Sequence, residues 1–172
     1  MEGSDSKAMG LPGSDLIGRL LDRHGAALEL YARQLCDAPE DCVQEALVEL
    51  ARQRRTPDDV LPWLYRVVRN KALSASRSAR RRRRHETEAA GHRATWFTPS
   101  PGNAVDAESA TAALESLSLE QREVVVAHLW GGLTFRQVGH LVGTSDSTAH
   151  RRYEAALSTL REKLGVSCQK NE

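Results

Sequence analysis

Apolar residues recur at three- and four-residue intervals through almost every patterned stretch of this chain, which predicts helices and no strands. The clearest case is the run from Leu119 to Leu164, where three consecutive helices each carry start and stop signals. Ser118 with Gln121 three places on forms a capping box, in which hydroxyl and amide satisfy each other's orphan backbone N–H groups. The apolar run Val124 to Ala127, with Leu129 and Trp130, then ends at Gly131-Gly132. Thr134 with Gln137 repeats the box, Phe135, Val138, Leu141 and Val142 share one face, and Gly143 suits a left-handed helix end. Ser145 caps the third helix after a very short turn. Two helices joined this tightly, with a glycine in the joint, carry the helix-turn-helix signature.

The third helix divides into two faces. Ala149, Tyr153, Ala156, Leu160 and Leu164 point inward by their spacing. Ser147, Thr148, His150, Arg151, Arg152 and Glu154 occupy the opposite side, and these are groups that bond phosphates and base edges from a helix in the major groove. The plainer alternative is a helical hairpin with a solvated polar face.

Upstream, the pattern predicts a first helix from Ser14 with Leu16, Ile17, Leu20 and Leu21 inward, and a break or weak point at Gly25 before a segment from Ala26 to Leu35. A further helix, roughly Pro39 to Gln53, buries Val43, Ala46, Leu47 and Leu50 and shows Asp41, Gln44, Glu45 and Glu49 on its other side. Taken alone, an acidic face of this kind is usually just solvated. Pro62 then opens the longest helix, with Trp63, Leu64, Val67 and Val68 on its apolar side. Its aromatic and basic side carries Tyr65, Arg66, Arg69, Asn70 and Lys71 and runs out into the arginine block 80–84. That pairing of aromatics and cations suits a nucleic-acid track.

Periodicity lapses at both ends and in the middle, so the expected organisation is a disordered leader (1–13), a helical domain (14–86), a linker (87–107), a helix-turn-helix domain (108–166) and a tail (167–172). The expected fold class is all-α, as two small helical domains on a flexible linker. The linker's aromatic pair Trp96-Phe97 could pin it to a surface. Net charge is only +1, from 24 basic and 23 acidic residues, so the placement of charge matters more than its sum. No apolar run reaches the length of a membrane span and the N-terminus lacks a signal-peptide core, which points to the cytoplasm. Three cysteines, Cys36, Cys42 and Cys168, read as free thiols. The six histidines are scattered, no phosphate-cradling glycine loop exists, and no catalytic constellation or cofactor site is expected.

Two stretches together carry a family resemblance. DCVQEALVELARQ followed by PWLYRVVRNKAL resembles the second domain of bacterial RNA polymerase sigma factors. LSLEQREVVVAHLWGGLTFRQVGHLVGTSDSTAHRRYEAALSTLREKL resembles their fourth domain, and having these two alone is similar to the extracytoplasmic-function (ECF) type. The resemblance implies core RNA polymerase and promoter DNA as partners and leaves room for an anti-sigma factor. It implies that Asp41, Gln44 and Glu45 dock on the polymerase clamp. It further implies that the loop 52–61, with Arg54 and Arg55, holds a flipped minus-ten base, and that Trp63, Tyr65, Arg66, Arg69, Asn70 and Lys71 grip the separated strand. Thr134, Ser145, Ser147, Thr148, His150, Arg151, Arg152 and Glu154 would meet the minus-thirty-five element.

The chain also departs from the family pattern. The part before Leu16 is short, Ser74 stands where an acidic residue is frequent, and Ala149 and His150 replace a branched apolar residue and a lysine. Two other functions stay open on the sequence alone: a free-standing helix-turn-helix regulator, and a sigma-like interaction protein that initiates nothing.

Overall fold

The computed structural model describes residues 14–85 and 107–164. The expected leader and tail, nearly all of the expected linker, Trp96, Phe97 and Cys168 lie outside the described residues. Every described element is helical: α1 (Ser14–Arg33), α2 (Pro39–Ala51), α3 (Val60–His85), α4 (Ala107–Glu115), α5 (Leu119–Val125), a π-helical turn (Val126–Trp130), α6 (Phe135–Val142) and α7 (Asp146–Leu164).

The N-terminal three helices close around Leu28, Tyr31, Val43, Leu47, Leu50, Leu64 and Val68, all nearly or wholly buried. Helix α1 runs unbroken through Gly25, so of the two expectations there the break does not occur. A single glycine costs a helix only about 1 kcal/mol, and burial of Leu28, Tyr31 and Ala32 one and two turns later outweighs that. Asp37-Ala38 turns the chain and Pro39 occupies the first position of α2, where its missing N–H costs no hydrogen bond. The buried thiols of Cys36 and Cys42 meet across this turn at 3.6 Å, unbridged. Burial, with the neighbouring Cys36 second, pushes the Cys42 thiol up to about 12, so it stays protonated and packs as a small hydrophobe. Helix α3 begins two residues before the expected Pro62, and the Trp63 amide bonds back to the Asp59 carbonyl. Pro62 thus sits in the first turn, where no amide is required of it.

In the C-terminal half both expected capping boxes form. Ser118 accepts from the Gln121 amide and Thr134 from the Gln137 amide, and each glutamine returns the bond to its cap backbone. Between them the helix does not simply stop at the glycine pair. The Gly131 amide reaches the Val126 carbonyl, five residues back, so α5 widens into one π turn. Gly143 closes α6 at φ +75°, and the Ser145 hydroxyl takes the Thr148 amide to start α7. An aromatic cluster sets the angle of the last two helices: His128 stacks on Phe135 at 4.2 Å, and Tyr153 and His150 meet Phe135 edge-on. Ala149 and Ala156, both fully buried, let α7 lie close against its neighbours.

Five consecutive residues, Glu123 to Ala127, are buried, which one helix face cannot achieve. They are covered from two sides: by α6 and α7 within their own half, and by α1 across the junction with the N-terminal half. The two halves therefore share a continuous apolar core.

The left-handed conformation at Gly143 generates a prediction. Gly143→Ala should lower unfolding free energy by about 1–2 kcal/mol, the steric cost of a Cβ in that region. Gly143→Asn should lose less, because asparagine tolerates the conformation. Urea unfolding of the three proteins checks this, and equal losses for Ala and Asn would contradict it.

Candidate nucleic-acid interface

Helix α2 buries Val43, Ala46, Leu47 and Leu50 against α1 and α3. That leaves Asp41, Gln44, Glu45 and Val48 exposed at i, i+3, i+4 and i+7, a single stripe. The sequence does not single out Val48, which reads there as one more apolar residue; it is 47% exposed at the C-terminal end of the stripe. An acidic stripe that ends in an exposed apolar residue combines charge for a cationic surface with apolar area that a partner could bury.

Lys71 does not stand on the basic face of α3 expected of it. Its ammonium lies 3.3 Å from Glu45 and 3.2 Å from Glu49, so it belongs to the α2 side. Hydrogen bonds to Glu49 and then Glu45 hold its pKa above the ordinary lysine value.

Tyr65 requires a second correction. It is fully buried, not exposed beside the arginines. Its ring meets Tyr31 edge-on at 5.1 Å, and burial raises its phenol above the usual value. The reason is tertiary: α3 packs against the C-terminal half, and a Cβ on Gly131 would come within 2.6 Å of the Tyr65 oxygen. Only glycine fits that approach.

Arg66 and Asn70 are exposed along α3 and Trp63 is half-buried. Trp63 and Arg66 line a cleft of about 510 Å³ whose other wall is α6, through Arg136, Gln137 and His140. The loop preceding α3 exposes Arg54 and Arg55, the latter in a loose surface pair with Asp58 at 3.4 Å. Such a pair contributes little.

Arg69 is engaged elsewhere. Its Nε lies 2.7 Å from Oε1 of Glu123 and its Nη2 donates to Oε2 at 3.4 Å. The Tyr31 hydroxyl donates to the same Oε1 at 2.7 Å. Glu123 is 4% exposed, so its charge is held by these two residues from the other half of the chain. The hydrogen bond to Glu123 raises the Arg69 pKa, and burial, then the Glu123 charge, pushes the Tyr31 phenol well up. Sequence reasoning does not find Glu123. The available signal is a carboxylate directly before the four-residue apolar run 124–127, too close to that run to be solvated.

On α7 the outward groups stand as the periodicity predicts. Ser147, His150, Arg151 and Glu154 are exposed, and Ser145 and Thr148 are tied into the helix start. His150 lies 3.6 Å from Glu154, one turn on. Arg152 turns sideways to Glu120 of α5 at 3.1 Å, which pins the helix and leaves its guanidinium near the rim. Thr134 is exposed but committed to its cap.

Comparison with known proteins agrees with this architecture. Residues 20–82 match the family model Sigma-70 region 2, and residues 113–162 match Sigma-70, region 4. The chain is 31% identical to the ECF RNA polymerase sigma factor SigL of Mycobacterium tuberculosis, covering 88% of this chain and 92% of the relative. It is 30% identical to the RNA polymerase sigma factor CarQ of Myxococcus xanthus, over 73% and 74% of the two chains. Among solved structures, the sigma factor RpoE of Bartonella quintana, in complex with the anti-sigma factor NepR, superposes with a TM-score of 0.72 at 24% identity, covering 90% of this chain and 99% of that one. CnrH, in complex with the cytosolic domain of CnrY, gives 0.58 at 21% identity, over 90% and 91%. With both regions present in order and a relative matched over nearly its whole length, the chain belongs to the ECF type of the sigma-70 family of RNA polymerase sigma factors.

Proposed function

We propose that this sigma factor docks on core RNA polymerase through the α2 stripe of Asp41, Gln44, Glu45 and Val48, and reads promoter DNA at two places. The minus-ten strand is assigned to Trp63, Arg66, Arg69 and Asn70 of α3, with Arg54 and Arg55 in the loop before it. The minus-thirty-five duplex is assigned to α7, with His150, Arg151 and Glu154 at base edges and Arg152, Ser147, Thr148, Ser145 and Thr134 toward phosphates. Separated bases need polar edges and stacking surfaces, and the backbone needs cations; α3 supplies both. The observation that carries the reading is the α2 stripe, because a free-standing repressor has no use for an acidic stripe ending in an exposed apolar residue on the domain that does not read duplex DNA. The protein is then a non-catalytic specificity subunit acting in the cytoplasm. Among the described residues no helix is long and apolar enough to cross a membrane. An anti-sigma factor is a further proposed partner. Run-off transcription with purified core polymerase tests the whole assignment: initiation from a cognate promoter supports it, and duplex binding without initiation favours the regulator.

Three outcomes are expected. Reversing charge at Asp41, which makes no ion pair within the described residues, should weaken core binding about tenfold, near 1.4 kcal/mol, with helicity unchanged by circular dichroism. Unaltered capture of core would remove α2 from the interface. Arg151→Ala should cost about 1–3 kcal/mol and relax preference at one base position. An equal loss across a library of upstream elements would make Arg151 a phosphate contact instead. Finally, the near-balanced charge of the chain limits counterion release, so a fluorescent base in the minus-ten element should report opening with core polymerase present and none with the sigma factor alone. Opening by the free chain at physiological salt would contradict that.

A further inference from the structure

Arg69 is assigned above to the separated strand, yet here it is spent on a carboxylate of the chain's own C-terminal half. The two demands compete. A guanidinium takes a phosphodiester or a carboxylate through a pair of N–H donors, and the Nε–Nη2 edge of Arg69 is occupied at 2.7 Å and 3.4 Å by Glu123. We propose that Glu123 is a built-in mimic of strand phosphate: it latches the two halves through Arg69 and Tyr31, withholds this edge of Arg69 from the minus-ten strand in the free chain, and is displaced when the halves part on polymerase.

Three further features support a latch that opens over a permanent core contact. Helix α6 stands across the cleft from Trp63 and Arg66, where a strand following α3 has to pass. The Tyr65 hydroxyl, buried against Gly131, has no hydrogen-bond partner. A buried hydroxyl left unpaired opposes the closed state and would be satisfied once water or a base reached it. By residue count alone the connecting stretch 86–106 could span roughly 70 Å if extended, a length that would let the halves part.

This inference rests on the assignment of Arg69 to the strand, and the test separates the two. The full chain, Glu123→Gln and Tyr31→Phe are compared, neither substitution touching a residue assigned to DNA or polymerase. Small-angle X-ray scattering reads the separation of the halves, and circular dichroism confirms retained helix. Anisotropy of a labelled random-sequence single-stranded oligodeoxynucleotide reads access to α3. Glu123→Gln should raise the radius of gyration and tighten strand binding by roughly three- to tenfold, the scale of one charge-assisted hydrogen bond made available to the strand. The salt dependence should steepen by about 0.7 in log–log slope, because Arg69 then neutralises one more strand phosphate. Tyr31→Phe, which keeps the carboxylate, should move both readouts the same way by less, and it carries the test if Glu123→Gln loses helix. An unchanged radius in the folded variants overturns the latch, as does expansion with no increase in strand affinity. If wild type in complex with core also leaves the strand unbound, the assignment of α3 itself fails, and the phosphate-mimic role falls with it.

Discussion

The structure turns on one buried carboxylate. Glu123 lies in an apolar run with its charge removed from water, and a lone carboxylate there would be strongly disfavoured. It is tolerated because Tyr31 and Arg69, from two different helices of the N-terminal half, converge on it. Removing one partner of such a buried pair typically costs several kcal/mol, whereas a well-packed apolar replacement can be neutral. A charge in that position is therefore better explained by the specificity and reversibility of the junction than by stability. The π turn directly after α5 has a part in this, since it brings Gly131 against Tyr65 and completes the contact between the halves.

Around that junction the chain distributes its chemistry by face. Helix α2 turns acids and Val48 outward on one side and is tied to α3 on the other, where Lys71 bridges Glu45 and Glu49. The bridge neutralises part of the acidic face and leaves Asp41 and Gln44 as its open end. Helix α3 in turn carries cations toward the junction and the cleft. One helix pair thus keeps an acidic face and a basic face apart, though the net charge of the chain is almost nil. The helix-turn-helix unit is more self-contained. Two capping boxes, the Gly143 joint and the His128–Phe135–Tyr153 cluster fix α6 and α7 by local means, so α7 is presented at a defined angle.

The sequence by itself determined whatever depends on neighbours within one or two turns. Helix periodicity, both capping boxes, the left-handed Gly143 and the exposed row of Ser147, His150, Arg151 and Glu154 are local consequences of residue order. So is the acidic stripe of α2. Helix limits differ by a few residues from the local pattern because burial, as at Leu28 and Tyr31, overrides the weak preference of Gly25. The tertiary structure alone decided which exposed-looking groups are spent. Tyr65 and Lys71 share a helix with Arg66 and Asn70, and periodicity cannot say that one packs under Gly131 while the other bridges α2. Glu123 and Arg69 lie 54 positions apart in the sequence. No periodic pattern connects residues at that distance, because their pairing exists only once the two halves of the chain have been laid side by side.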